Sequence, residues 1–350
     1  MCHLPLFTAF ALLASSLTQA AEPVPPGSAP EAVPSSTSNA GFADLKWKKA
    51  TPSPYSRVES PTILFGGKLF LFGGFTSNLG ASKQLDVYDP ATDAWTRRAD
   101  IPTGVTHLNP VLAGNTIWLA GGFKGTHPGP VTAEVWKYDL TADTWTEGPA
   151  LPEPRAGGGL EILEGKLHYF GGFKSDRNTT SGDHWSLALD GGKEWQREAD
   201  MPGPRGHVSV AVLDGKLYAL GGTNGHDKTQ VDLNFCHRYD PATKAWSAIA
   251  SLPDARSHFE SSTLIYNGRI IIAGGRCNNS KPTGNLMDDI LEYDPKADQW
   301  TVIGTLPVKL MSPSMAIVGG QIVITGGGLN NPRPLTAETW VAPLQLKRMK

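Results

Sequence analysis

A proline recurs at Pro54, Pro102, Pro152, Pro202, Pro253 and Pro307, and reactive side chains follow it at fixed offsets. Three residues on stand Arg57, Val105, Arg155, Arg205, Arg256 and Leu310. Five on stand Glu59, His107, Gly157, His207, His258 and Ser312. Seven on stand Pro61, Asn109, Gly159, Ser209, Glu260 and Ser314. A guanidinium fork grips a carboxylate bidentately, so arginines that share one repeat position suit an acidic sugar or acidic peptide. Imidazole beside carboxylate can move a proton near neutral pH. Histidine and carboxylate also ligate Zn or Cu, at about 2.1 Å. Yet no HxH or HExxH spacing occurs, and neighbouring repeats are expected to stand too far apart to converge, so neither metal nor cofactor is expected. Offsets of two place residues on one side of a strand. Arg57, Glu59, His107, Arg155, Arg205, His207, Arg256, His258 and Glu260 are therefore expected to form one ligand-binding ring. The competing reading packs each arginine against a neighbouring repeat or pairs it with Glu or Asp. There is no GxSxG and no phosphate loop, so no catalytic residue is assigned.

The elements that position this ring repeat too. A double glycine after an apolar run occurs six times, at Gly73-Gly74, Gly121-Gly122, Gly171-Gly172, Gly221-Gly222, Gly274-Gly275 and Gly326-Gly327, spaced 48 to 53 residues apart. About seven residues earlier in each unit lies a turn pair: Gly66-Gly67, Ala113-Gly114, Glu164-Gly165, Asp214-Gly215, Asn267-Gly268 or Gly319-Gly320. Alternating apolar residues flank these turns, so each unit contains a β-hairpin. A third strand ends at Tyr88-Asp89, Tyr138-Asp139, Leu189-Asp190, Tyr239-Asp240 or Tyr293-Asp294, and a short turn leads to Trp95, Trp145, Trp195, Trp246 or Trp300 on a fourth. These tryptophans are expected to pack between units, as are Trp136, Trp185 and Trp340 on third strands; Trp118 lies on a second strand and carries no assigned role.

Paired glycines, Tyr-Asp and a spaced Trp on a period of about 50 residues resemble kelch repeats, across nearly all of residues 42–345. The resemblance implies an all-β, six-bladed β-propeller. After Gly326-Gly327 only one more strand is readable, 335–342, whereas Leu45-Lys46-Trp47-Lys48-Lys49 resembles a fourth strand. The last blade is therefore expected to be closed by the N-terminal strand, which removes an open edge. Antiparallel order puts the fourth-to-first and second-to-third connections on one face. The second-to-third loops (76–83, 124–130, 174–182, 223–230, 276–285 and 329–334) are long and polar, which makes that face the candidate binding surface.

The composition agrees with many short strands and tight turns: 39 Gly, 28 Pro, 10 Trp, 40% hydrophobic residues and 18% charged. A formal charge of -2 argues against a nucleic-acid partner. Residues 4–14 are apolar and Thr18-Gln19-Ala20 suits cleavage, so 1–20 read as an export signal and 21–41 as a Pro/Ser/Ala linker. Residues 42–346 are the propeller and 347–350 a basic tail. An exported location, periplasmic or secreted, with no membrane span, is expected. Cys2 leaves with the signal; in an oxidising compartment Cys236 and Cys277 either pair or remain separate thiols. The expected function is a monomeric binding or interaction protein that takes a protein or a small acidic or carbohydrate ligand at the channel mouth. The alternative is an enzyme: exported six-bladed architecture of this length resembles the periplasmic sialic-acid mutarotases. That resemblance implies an arginine (Arg205 or Arg256) for the sugar carboxylate, with Glu59, Glu260 or His258 moving the proton. The copper-ligand pattern of the kelch enzyme galactose oxidase is not recognisable.

Overall fold

The computed structural model describes residues 40–278, 285–330 and 333–344. The expected signal segment, nearly all of the linker and the basic tail lie outside them. Local backbone demand sets the hairpins: in Glu164-Gly165, Asp214-Gly215 and Asn267-Gly268 both residues have positive φ, between 49° and 72°, as a two-residue turn matched to the strand twist requires. In the second unit the turn falls one residue later than expected, on Gly114-Asn115, because the strands run Pro110–Ala113 and Thr116–Ala120.

The described residues hold six four-stranded antiparallel sheets. The first blade runs Thr62–Phe65, Lys68–Phe72, Leu85–Asp89 and Ala94–Arg97, strands a to d in order. The fifth runs Thr263–Tyr266, Arg269–Ala273, Asp289–Asp294 and Gln299–Thr305. Strand a of each blade meets strand a of the next around the whole ring. The sixth blade takes Ser314–Val318, Gln321–Thr325 and Thr339–Pro343 from the C-terminal end and Lys48–Ala50 from the N-terminal end. The closing register is Lys48 with Val341, Lys49 with Trp340 and Ala50 with Thr339. Phe42, 1% exposed, anchors this closure in the cluster that holds Ile271, Ile290, Leu310 and Trp340.

The tryptophans join blades. The indole N–H groups of Trp95, Trp145, Trp195, Trp246, Trp300 and Trp47 donate to the carbonyls of Thr51, Ala99, Pro149, Ala199, Ala250 and Thr305, each at 3.0 Å. Every acceptor lies at or just past the fourth strand of the preceding blade. Each indole thus packs its ring in the groove between two blades while its N–H is tied to the backbone of the preceding one, which fixes the angle between blades as well as filling space. Among the described residues no helix is long and apolar enough to cross a membrane. Cys236 is buried on strand c of blade four, Cys277 is half-buried after the fifth double glycine, and both are free thiols.

Candidate functional site

The residue five after each proline is left-handed in all six blades: Glu59 (φ 54°), His107 (56°), Gly157 (67°), His207 (49°), His258 (58°) and Ser312 (49°). Non-glycine residues rarely adopt this conformation. Here hydrogen bonds between blades hold it. The Gly157 N–H donates to the His107 carbonyl at 2.6 Å, Val208 N–H to Gly157 at 3.2 Å, and Ser312 N–H to His258 at 2.8 Å. The turn carries these side chains to the axis ahead of strand a. Gly157 has no side chain, and across it the His107 and His207 rings approach to 4.7 Å between centroids. His207 and His258 stack at 3.8 Å. The expectation that neighbouring blades keep the histidines apart is thus corrected: the innermost backbone segments are hydrogen-bonded to one another.

Carboxylates complete the group. Glu59 Oε2 lies 2.8 Å from His107 Nδ1, and Glu59 Oε1 lies 3.5 Å from His258 Nε2. Glu260 Oε1 lies 2.8 Å from His207 Nδ1. Burial alone would raise the Glu59 pKa, but the charge and hydrogen bond of His107 take it below the usual carboxylate value. Burial raises Glu260. Burial, reinforced by neighbouring cations, holds His207 and His258 far below the ordinary imidazole value, so both are neutral at pH 7. One ring nitrogen each from His107, His207 and His226 lie within 4.8 Å of one another, as do ligand atoms of Glu59, His207 and His258.

A cavity of about 290 Å³ opens on this cluster, bordered by Glu59, His107, His226, Asp227, His258 and Arg276. A second, of about 20 Å³, shares Glu59 and His107 with it and reaches His207 and Glu260. His226 and Arg276 are the functional side chains that the aligned positions missed. His226 comes from the b-to-c loop of blade four. The loop is held by Asn178 Oδ1, which accepts from the N–H groups of His226, Lys228 and Thr229 at 3.2, 3.2 and 3.4 Å. Arg177 Nε donates to Asp227 Oδ2 at 2.6 Å, and Arg177 also donates to the Gly129 carbonyl, which latches three loops together. Arg276 follows the fifth double glycine directly. The same position holds Phe75, Phe123 and Phe173 in the first three blades, whose rings pack on His107, His207 and His226. A cation in place of an aromatic residue was the available signal.

The four ring arginines stand elsewhere, and that expectation is corrected. Arg57, Arg155, Arg205 and Arg256 are at most 1% exposed. Arg57 pairs with Asp86, Arg155 with Asp183, and Arg256 with Asp289 at 2.7 Å. Arg205 donates to the carbonyls of Pro202, Gly203 and Ala219 at 2.9, 2.9 and 3.1 Å, and burial brings its pKa down to about 10. The left-handed residue between offsets three and seven ends the two-residue alternation, so the arginine points into its own blade while the histidine points to the axis. Their carbonyls serve the ring too: the N–H groups of Gly122, Gly172, Gly222 and Gly327 donate to Arg155, Arg205, Arg256 and Arg57 at 2.8 to 2.9 Å.

The family model of the KLHDC2/KLHL20/DRC7 Kelch-repeats domain matches residues 111–327, and that of the Kelch motif matches 56–102. A kelch repeat-containing protein of Arabidopsis thaliana is 28% identical over 86% of this chain and 77% of its own length. The Kelch-like protein terF of Aspergillus terreus is 26% identical over 83% of this chain and 65% of its own. Human Kelch-like protein 23 is 24% identical over 76% of this chain, which spans only 36% of that protein. The solved structure of YjhT superposes with a TM-score of 0.70 at 15% identity, over 86% of this chain and 99% of that one.

Proposed function

This chain belongs to the kelch-repeat family, and we propose that it is a binding protein whose axial mouth takes a small acidic ligand. The observation that carries the reading is Arg276. Its guanidinium borders the mouth cavity, is 4% exposed, and has Nε and Nη2 without hydrogen-bond partners. The nearest carboxylate oxygen, Asp232 Oδ1, is 3.8 Å from Nη2, outside hydrogen-bond range. A ligand carboxylate there would satisfy two buried donors at once, with His258 and Gln230 on the same wall to meet hydroxyls. Asp232 and Glu59 keep the site from overall positive charge, which suits one carboxylate on a polar body such as an acidic sugar. The N-terminal strand closes the ring and leaves only the short outer edge of each blade, which suits a monomer, and the leader-like residues 1–20 suit action after export, in the periplasm or outside the cell.

Calorimetric titration with N-acetylneuraminate, glucuronate, galacturonate and neutral galactose tests the reading. Binding of at least one acid, weakened roughly tenfold or more in Arg276→Ala, is expected. No binding of any acid, or binding unchanged in Arg276→Ala, overturns it. A second reading, sugar mutarotation, is favoured by Glu59 and His258, a carboxylate and a neutral imidazole 3.5 Å apart on the cavity wall. Anomer exchange needs only such an acid/base pair. Acceleration of exchange in NMR, lost in Glu59→Gln, would select the enzyme; tight binding without acceleration would select the binding protein.

A further inference from the structure

We propose that His107, His207 and His226 form a binding site for a borderline divalent transition cation, Zn²⁺ in the first instance, at the propeller axis. This goes beyond the acidic-ligand reading and does not depend on it. In each of the three residues a carboxylate stands at Nδ1. Glu59 is 2.8 Å from His107 Nδ1, which the Thr106 hydroxyl also approaches at 2.9 Å, Glu260 is 2.8 Å from His207 Nδ1, and Asp227 is 2.5 Å from His226 Nδ1. A carboxylate on one ring nitrogen that leaves the other free is the arrangement that orients imidazole ligands around a metal. The nitrogens left over are Nε2 in all three. His107 Nε2 and His226 Nε2 are 3.3 Å apart, and His207 Nε2 is buried without a hydrogen-bond partner.

A hydrogen bond between His107 Nε2 and His226 Nε2 would account for those two nitrogens but leaves His207 Nε2 unsatisfied. One cation accounts for all three. With Zn–N bonds of ~2.0–2.1 Å, tetrahedral geometry places ligand nitrogens about 3.3 Å apart, the separation already present between His107 and His226. The ligand nitrogens of the trio lie within 4.8 Å of one another, so the remaining edges close by at most about 1.5 Å of ring movement on binding. An all-imidazole donor set favours Zn²⁺ or Cu²⁺ over the hard cations Ca²⁺ and Mg²⁺. Three protein ligands leave a fourth position, and His107 and His226 border the mouth cavity, so that position faces the entry. The other convergent trio, Glu59, His207 and His258, is the weaker site. There the His207 and His258 rings stack at 3.8 Å between centroids, which leaves no space for a cation between them, whereas the His207 and His226 rings, also near parallel at 23°, stand 5.7 Å apart.

The test uses the full chain, stripped with chelator and titrated with Zn²⁺ by calorimetry and with Co²⁺ by visible absorption. One equivalent of Zn²⁺, a four-coordinate Co²⁺ spectrum and a melting temperature raised by Zn²⁺ are expected. His226→Gln lies on a surface loop and should keep the fold, and it should lower Zn²⁺ affinity at least tenfold. Glu260→Gln keeps all three ligands but loosens the hold on His207 Nδ1 and should lower affinity by about 10–100-fold. His237→Gln, away from the axis, should leave it unchanged. Failure of Zn²⁺ and Cu²⁺ to bind, or equal affinity in wild type, His207→Gln and His226→Gln, overturns the proposal.

Discussion

Arg57→Met separates a structural role for the repeat arginines from a ligand-binding one. Arg57 is wholly buried, its guanidinium pairs with Asp86, and it lies 3.9 Å over the Tyr55 ring. Methionine fills most of the same space but leaves Asp86, 2% exposed, with only the half-exposed Arg97 guanidinium 3.5 Å away. Removal of one partner of a buried ion pair costs about 3–5 kcal/mol. Unfolding entropy of about 2.1 cal/mol/K per residue over roughly 300 residues gives about 0.6 kcal/mol/K, so the melting temperature should fall by roughly 5–8 °C. Arg57→Met/Asp86→Leu removes both charges, and such replacements are often neutral or stabilising. The double variant should therefore melt within about 2 °C of wild type. Scanning calorimetry of the four proteins in the cycle, with titration of the acidic sugars on each, provides the assay. An unchanged melting temperature for Arg57→Met together with loss of acid binding would refute the reasoning and return the arginine to the mouth.

The ring closure makes the next prediction: Phe42→Ala should cost about 3–5 kcal/mol, and deletion of 42–50 should lower the melting temperature further by removing the strand paired with Thr339–Pro343. A deletion that melts like wild type would sink the closure. A second concerns acid stability. Burial brings the His168 pKa down to about 4 and that of His184 to about 3, from 6.5. Below pH 6.5 the unfolded chain takes up protons that the folded one refuses, so stability present above pH 6.5 is lost as pH falls toward 4 and then 3. Each residue contributes up to ~1.4 kcal/mol per pH unit across that window. In urea titrations from pH 7 to 4 the His168→Gln/His184→Gln variant should lose stability less steeply than wild type; parallel curves would exclude the pair as a source.

What was legible in the sequence was whatever a single residue must do locally. A double glycine, an Asn-Gly turn or a Trp at fixed spacing each answers one backbone or packing demand, and six copies in register gave blade number and closure. The axial ring was legible as a set of positions but not as a direction. Glu59, His107, His207, His258 and Ser312 are left-handed without being glycine, and nothing in their types announces it. Once that turn is missed, alternation assigns Arg57, Arg155, Arg205 and Arg256 to the wrong side. His226 and Arg276 stayed hidden for another reason: loops carry no period, and only the replacement of the recurrent Phe by Arg276 marked one of them.

The repeat also explains how a near-symmetric scaffold gathers unlike groups at one point. Six left-handed residues meet at the axis at one level and deliver five side chains, since Gly157 has none, and an axis that narrow could not hold six large ones. Blades three and six, opposite each other in the ring, carry Gly157 and Ser312. Between them the large groups form two pairs, Glu59 with His107 at 2.8 Å and His207 stacked on His258 at 3.8 Å. A Cβ on Gly157 would meet the His207 backbone nitrogen and the Phe173 ring at 3.0 Å, so the close approach of blades three and four, across which His107 and His207 face each other, depends on the glycine. The b-to-c loops then add His226 from one side and Arg276 from the other, each beside a pair that already exists. The propeller supplies convergence by symmetry, and two small residues break that symmetry to make room for a site.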